Sequence, residues 1–254
     1  MRYHIITIFP DIMDSYITES IIGRAIESGL IEVTTYALRS YTSDKHGRVD
    51  GRVYGGGPGM VMWVDPIIEC YQDVIKKIGK KKLKGQTVYD ASKTLTVIFT
   101  PGKVQFNNEI AIDVSREYTD IIFICGRYEG IDSRVKDIIE SVYGVVPPLA
   151  EEDRRRPELG SVCEWSVGPY VLTGGELPAM ICIDAISRHI DRVLHNSESI
   201  EENRVSSHAM YGRPEVYAYK TLNNKGEKVT LEYKVPEVLL SGHHANIEKW
   251  KEGK

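Results

Sequence analysis

Four glycine-containing stretches carry what chemistry this sequence offers. They are Gly55-Gly56-Gly57-Pro58-Gly59-Met60, Thr100-Pro101-Gly102, Gly126-Arg127-Tyr128-Glu129-Gly130, and Val167-Gly168-Pro169-Tyr170-Val171-Leu172-Thr173-Gly174-Gly175. Glycine lets backbone amides and carbonyls approach a ligand that a side chain would hold off. None of these is a phosphate loop, since no Gly-Lys-Ser/Thr follows, and none has the spacing G-x-G-x-x-G. There is no G-x-S-x-G elbow, no Ser-His-Asp spacing and no His-x-x-x-His pair, so covalent and metal hydrolysis have no foothold. What remains is a pocket rich in backbone donors and acceptors near Arg127, Glu129 and Arg188. Such a pocket suits a bulky, neutral-to-cationic adenosine ligand better than a pyrophosphate, which would want helix N-termini and lysine. Read alone, each stretch is also a plain turn, and Arg188 is also an i,i+4 helix partner of Asp184.

The elements that must position these loops alternate. Tyr3–Phe9 reads as a buried strand and Ile12–Leu30 as a helix. Ile31–Leu38 reads as a second strand, and Asp65–Ile78 as a helix with Pro66 at its first position. Leu95–Phe99 and Ile121–Cys125 read as strands, Val104–Tyr118, Ile131–Glu140 and Leu177–Leu194 as helices, the last with Pro178 in its first turn. This order predicts an α/β fold with a parallel sheet covered on both faces. It also puts the 100–102 and 126–130 loops at carboxyl ends of strands, where parallel sheets bind ligands. The lysine-rich run Lys76–Lys84 and the polar stretch Pro147–Gly160 read as solvated loops. Residues 1–194 form one domain, 195–207 a polar linker, and 208–254 a small, partly helical domain.

Composition sets the outer limits. The 254 residues are 42% hydrophobic and 27% charged, the balance of a globular chain, and no apolar stretch nears the roughly 20 residues of a membrane span. No membrane partner is expected. The four cysteines, Cys70, Cys125, Cys163 and Cys182, lack metal-site spacing, so no metal site is expected and a reducing cytoplasm is the default setting. A net charge of −4 argues against a generic nucleic-acid coat while leaving room for a local basic face.

The ordered motifs closely resemble one family. Ile8-Phe9-Pro10, Asp44-Lys45-His46, Tyr54–Met60, Cys125–Asp132, Glu164–Gly168, Tyr170–Met180 and Asp184–Arg188 match in order, as do Arg213–Val216 and Val235–Gly242 in the tail. The sequence is thereby similar to the bacterial tRNA (guanine-37-N1)-methyltransferases of the SPOUT superfamily, the TrmD family. The resemblance implies a parallel sheet with a deep trefoil knot, a small mainly helical C-terminal domain that binds tRNA, and a homodimer with RNA contacts from both subunits. It implies S-adenosylmethionine as methyl donor, Mg2+ as an accompanying ion, and tRNA with guanine at position 37 as the partner. Pro101, Gly126, Val167, Gly168, Pro169, Tyr170, Val171, Leu172, Gly174, Gly175 and Pro178 would line the donor site, and Glu129 and Arg188 would hold the guanine and support catalysis. The family's general base is a linker aspartate; here the ungapped match places Asn203 there, with Glu202 one residue before it. An amide cannot accept the N1 proton. Two alternatives stand open: Glu202 serves as base, or the chain is a weakened or silent donor- and RNA-binding homologue.

Overall fold

A computed structural model describes residues 1–78, 80–83, 86–89, 93–143, 162–194 and 209–251. The chain divides into two compact units, Met1–Leu194 and His195–Lys254. Strand β1 (Arg2–Thr7) leads through a 3-10 turn, Pro10–Met13, into α1 (Asp14–Ile17) and α2 (Ser20–Glu27). The continuous helix expected over Ile12–Leu30 is therefore broken. Thr18 turns its hydroxyl back onto the Asp14 carbonyl at 2.7 Å, Ser20 takes a φ of 57°, and the chain changes direction between the two helices.

After β2 (Glu32–Ala37), a short ribbon of β3 (Asp50–Arg52) and β4 (Met60–Met62) brackets the first glycine run. Helix α3 (Val64–Ile78) follows. The lysine run then departs from the expected loop: it spans the end of α3 and β5 (Lys80–Leu83), which pairs antiparallel with β6 (Gln86–Tyr89). Strand β7 (Thr94–Gln105) is longer than expected, and α4 (Asn108–Glu117) starts correspondingly later. Val104 and Gln105 belong to the sheet because they pair with Trp165 and Ser166, and Asn107 caps α4 by accepting from the Ile110 N–H at 3.0 Å. Next come β8 (Asp120–Ile124), α5 (Arg134–Ile138) running on as a π-turn over Ile139–Tyr143, β9 (Val162–Ser166), and α6 (Glu176–Ser187).

The central sheet has the order β2-β1-β8-β7-β9, and every pair is parallel. Alternate residues feed two cores. Ile121 and Phe123 join Trp165 and the buried face of α6, whereas Ile122 and Ile124 join α3 and Val135 of α5. Strands β1 and β8 are buried nearly throughout because both faces are covered, and β8 is apolar after Asp120. Each fully buried side chain of this size stabilises the fold by about 1.5–3 kcal/mol.

The described part of the second unit contains an antiparallel hairpin, β10 (Val216–Leu222) with β11 (Lys228–Lys234), followed by α7 (Glu237–Leu240) and α8 (His244–Lys251). Among its described residues the unit is thus mixed, where a mainly helical domain was expected. Tyr, Val, Thr and Leu alternate on both sides of an Asn-Asn-Lys-Gly turn there, which is strand chemistry.

Candidate active site

The carboxyl ends of β8 and β9 and the middle of β7 open onto one cavity of about 600 Å³. Each contributes a loop for a local reason. In β7, Phe99 and Val104 both pair with Trp165, so residues 100–103 bulge out of the sheet and carry Pro101 to the rim. Gly126–Gly130 leaves the end of β8, and Val167–Gly175 connects β9 to α6.

The last two loops meet backbone to backbone. The Gly175 N–H donates to the Gly126 carbonyl at 2.9 Å, and Arg127 and Gly174 form an isolated antiparallel bridge. A Cβ on Gly175 would lie 2.7 Å from the Cys125 Cα, so only glycine permits this approach. On the other side, Gly59 holds a φ of +120° with the Glu129 side chain where its own Cβ would be. The Glu129 N–H donates to the Met60 carbonyl and the Met62 N–H to the Gly130 carbonyl, both at 3.0 Å. The first glycine run therefore braces Glu129 rather than lining the cavity.

Of the residues singled out from sequence, Pro101, Gly126, Glu129, Val167, Tyr170, Val171, Leu172, Gly174, Gly175 and Pro178 line the cavity. Gly168 and Pro169 belong to the same loop but do not; Gly168 lies under the Tyr170 ring. Arg188 is the C-terminal cap of α6 and is not part of the lining. The 12 residues of α6 put it about 18 Å from the end of the helix that faces the cavity. Asn203, Glu202 and the Pro147–Gly160 stretch lie outside the described residues.

Sequence reasoning missed Glu176. It is 1% exposed at the first turn of α6, and that acid directly before the apolar Leu-Pro-Ala-Met was the available signal. Its Oε1 accepts from the Thr7 hydroxyl at 2.7 Å, and its Oε2 lies 2.9 Å from Arg127 Nη2. Arg127 also donates to the Thr173 carbonyl at 3.3 Å, and its guanidinium lies 4.6 Å from the Phe9 ring centroid. One carboxylate thus ties the end of β1 to both cavity loops.

The lining contains four carboxylates, Glu129, Asp132, Asp137 and Glu164, and two cations, Arg127 and Lys136. Lys136 donates to Glu164 at 2.6 Å, which raises its pKa, and the Arg134 side chain holds the Asp132 carboxyl below its usual range. The surplus of negative charge favours a cationic ligand. Ile98, Phe99, Val167 and Leu172 supply apolar walls for a planar base. Thr100 Oγ1, also in the lining, is buried without a hydrogen-bond partner among the described residues, which leaves a polar contact open to a ligand.

Comparison with known proteins gives a consistent answer. Residues 1–254 match the model of the family described as tRNA (Guanine-1)-methyltransferase TrmD. The chain is 40% identical to a tRNA (guanine-N(1)-)-methyltransferase of Lachnospira eligens, over 100% of this chain and 89% of that protein. Proteins of the same name are 39% identical in Clostridioides difficile, with 99% and 90% of the two chains covered, and 36% identical in Mycoplasma mycoides, with 99% and 85% covered.

Proposed function

Because the chain belongs to the TrmD family of tRNA (guanine-1)-methyltransferases, we propose that it transfers the methyl group of S-adenosylmethionine to N1 of guanine 37 in the tRNA anticodon loop. The observation that carries the reading is the convergence of three loops on one cavity with Glu129 at its edge. The alternative of a silent homologue is not favoured, since the full length matches enzymes of this name.

The residues present fit the donor. S-adenosylmethionine brings a sulfonium-activated methyl group, and the acidic lining suits that cation. Gly126 and the cavity-lining residues Val167 and Tyr170–Gly175 would hold the adenosine, with Pro101 and Pro178 beside it. Glu129 positions the guanine, which must leave the loop stack to reach the donor at a cost of a few kcal/mol. Guanine N1 bears a proton and becomes a good nucleophile only once that proton is removed. A carboxylate base contributes about 10²–10⁴-fold at such a step. Glu202 is the base in this reading, with Asn203 beside it at the position where the family carries aspartate. No group of three or more His, Cys, Asp or Glu comes together to hold a metal among the described residues, so no step is assigned to Mg2+.

Arg188 stabilises the negative charge that develops on the guanine O6, and a homodimer accounts for its distance from the cavity. Leu177, Ile181, Asp184 and Arg188 fall on one stripe of α6. Leu177 and Ile181 are exposed on it, with Phe9, Ile12 and Tyr16 exposed nearby and the Tyr16 hydroxyl donating to Asp184. Pairing two such faces buries them and lets the partner subunit's Arg188 complete the site. The same reading carries a trefoil knot. It is supported by the return of the 167–175 loop to Gly126 after β9 has been laid beyond β7. The second unit binds tRNA, and the cytoplasm is the setting.

Purified protein incubated with methyl-labelled donor and unmodified tRNA should form 1-methylguanine at position 37; absence of that product overturns the reading. Arg188→Ala should lower turnover by about 10²-fold or more with donor affinity unchanged. Glu202→Gln should lose more activity than Glu201→Gln, and Asn203→Asp should raise turnover.

A further inference from the structure

Residues 217–234 lie between two stretches that match the family, Arg213–Val216 and Val235–Gly242, and form most of a hairpin of their own. Its two seven-residue strands extend about 23 Å. The register sets Tyr217 opposite Tyr233, Tyr219 opposite Leu231, and Thr221 opposite Val229, so all six share one face. Tyr217, Tyr219 and Tyr233 are 58%, 48% and 58% exposed. The tip is well defined: Asn223 Oδ1 accepts from the Lys225 and Glu227 N–H groups at 2.9 and 3.0 Å, and Asn223 Nδ2 donates to the Glu227 carboxylate at 2.8 Å. Glu232 is 3.8 Å from Lys234. Both hairpin acids are thus engaged, whereas Lys220, Lys225 and Lys228 are exposed and have no ion pair among the described residues. Four lysines against two glutamates give the hairpin +2 in a chain of −4.

We propose that this hairpin is an RNA-binding ribbon: Tyr217, Tyr219 and Tyr233 stack on unpaired nucleotides of the tRNA substrate while the lysines at the tip and on the opposite face attract its backbone. The proposal rests on the reading of tRNA as substrate and deepens it. A row of tyrosines is the chemistry of a stacking platform, because every base has a π-face and the hydroxyl tips tolerate water. Leu231 and Val229 share this face, but the three tyrosines dominate it, and an aliphatic docking face would gain nothing from a surrounding positive charge. The ribbon is thin enough that lysines on its far face act within the Debye length of about 8 Å.

The test compares the full-length wild type with a Tyr217→Ala/Tyr219→Ala/Tyr233→Ala triple variant and the corresponding Tyr→Phe triple. Each is titrated with unmodified tRNA at several salt concentrations. The Ala triple should bind tRNA about tenfold or more weakly, the Phe triple should retain wild-type affinity, and both should bind S-adenosylmethionine as wild type does. Unchanged tRNA affinity in the Ala triple overturns the proposal. So does loss of self-association by sedimentation with tRNA affinity intact, since the face would then meet a second copy of the chain. Should the Ala triple fail to fold, Lys220→Glu/Lys225→Glu/Lys228→Glu decides: a shallower salt dependence of tRNA binding supports the ribbon and an unchanged slope overturns it. Methylation of guanine 37 by the wild type is scored separately. A methylating wild type with an unaffected Ala triple ends the ribbon proposal alone, whereas a wild type that binds tRNA through the ribbon but fails to methylate ends only the functional reading.

Discussion

Glu176 and Gly175 are neighbours with opposite demands on the same junction. Glu176 must hold Arg127, which has only 18% of its side chain exposed and has no other carboxylate partner among the described residues. Removing one member of a buried ion pair costs about 3–5 kcal/mol. Glu176→Ala should therefore lower the thermal unfolding midpoint strongly. Glu176→Gln keeps the bond to Thr7 and should fold, but should bind S-adenosylmethionine more weakly in calorimetry as Arg127 loses its anchor. Gly175→Ala should act by shape alone. The new methyl group must push Cys125 away, parting the two loops and reducing donor affinity with little change in acid stability. These residue types were legible in the sequence as members of one motif. That Thr7 and Arg127 are the partners of Glu176 was not, because contacts between residues 169 and 49 positions apart leave no local period to read.

At the scale of elements, the legible ones were those whose pattern is purely local. Strand β8 is an apolar run after its first residue, β1 is rich in aromatic and β-branched residues, and α3 has a proline at its start and helical spacing throughout. Strand β9 went unread because Val-Cys-Glu-Trp-Ser has neither a clean alternation nor a uniform apolar run. Its Glu164 faces Lys136 at the cavity while Trp165 fills the core. The extension of β7 past Pro101 was hidden for a related reason, since its second half is strand only through pairing with β9. The opposite, amino-terminal end of the sheet supports a pH prediction. Asp120 is buried at the start of β8, where burial pulls its pKa up. Bonds from His4 at 3.1 Å and from Arg2 and Thr119 at 2.9 and 2.8 Å outweigh that and leave it lowered. A carboxylate with a folded pKa below its unfolded value of about 3.9 stabilises the fold above that pH. The contribution is lost as pH falls through the folded pKa. Urea unfolding should show wild-type stability dropping below about pH 4. Asp120→Asn should be less stable by about 3 kcal/mol near pH 7 and should lack that acid-side component.

Across the whole molecule, all four cysteines are buried and none is in a disulfide. Burial pushes the Cys70 thiol up to about 12 and raises Cys125 and Cys182 well above their usual value. Alkylation with iodoacetamide at neutral pH, followed by mass spectrometry, should leave the native protein unmodified and label all four thiols in urea; rapid native labelling of Cys125 would mean the cavity loops open far more than their contacts imply. The alternation of strands and helices, the parallel sheet and the membership of ordered motifs in one family were set by the linear order of residues, because periodicity and turn chemistry act over a few positions. Which loops share a cavity was decided only by the sheet order β2-β1-β8-β7-β9, which lays the bulge of β7 beside the carboxyl ends of β8 and β9. The placement of Arg188 at the far end of α6, and the tyrosine face of the second unit's hairpin, likewise emerged only in three dimensions. Helix rise and strand register convert sequence separation into distance and facing, and neither can be read before the element boundaries are fixed.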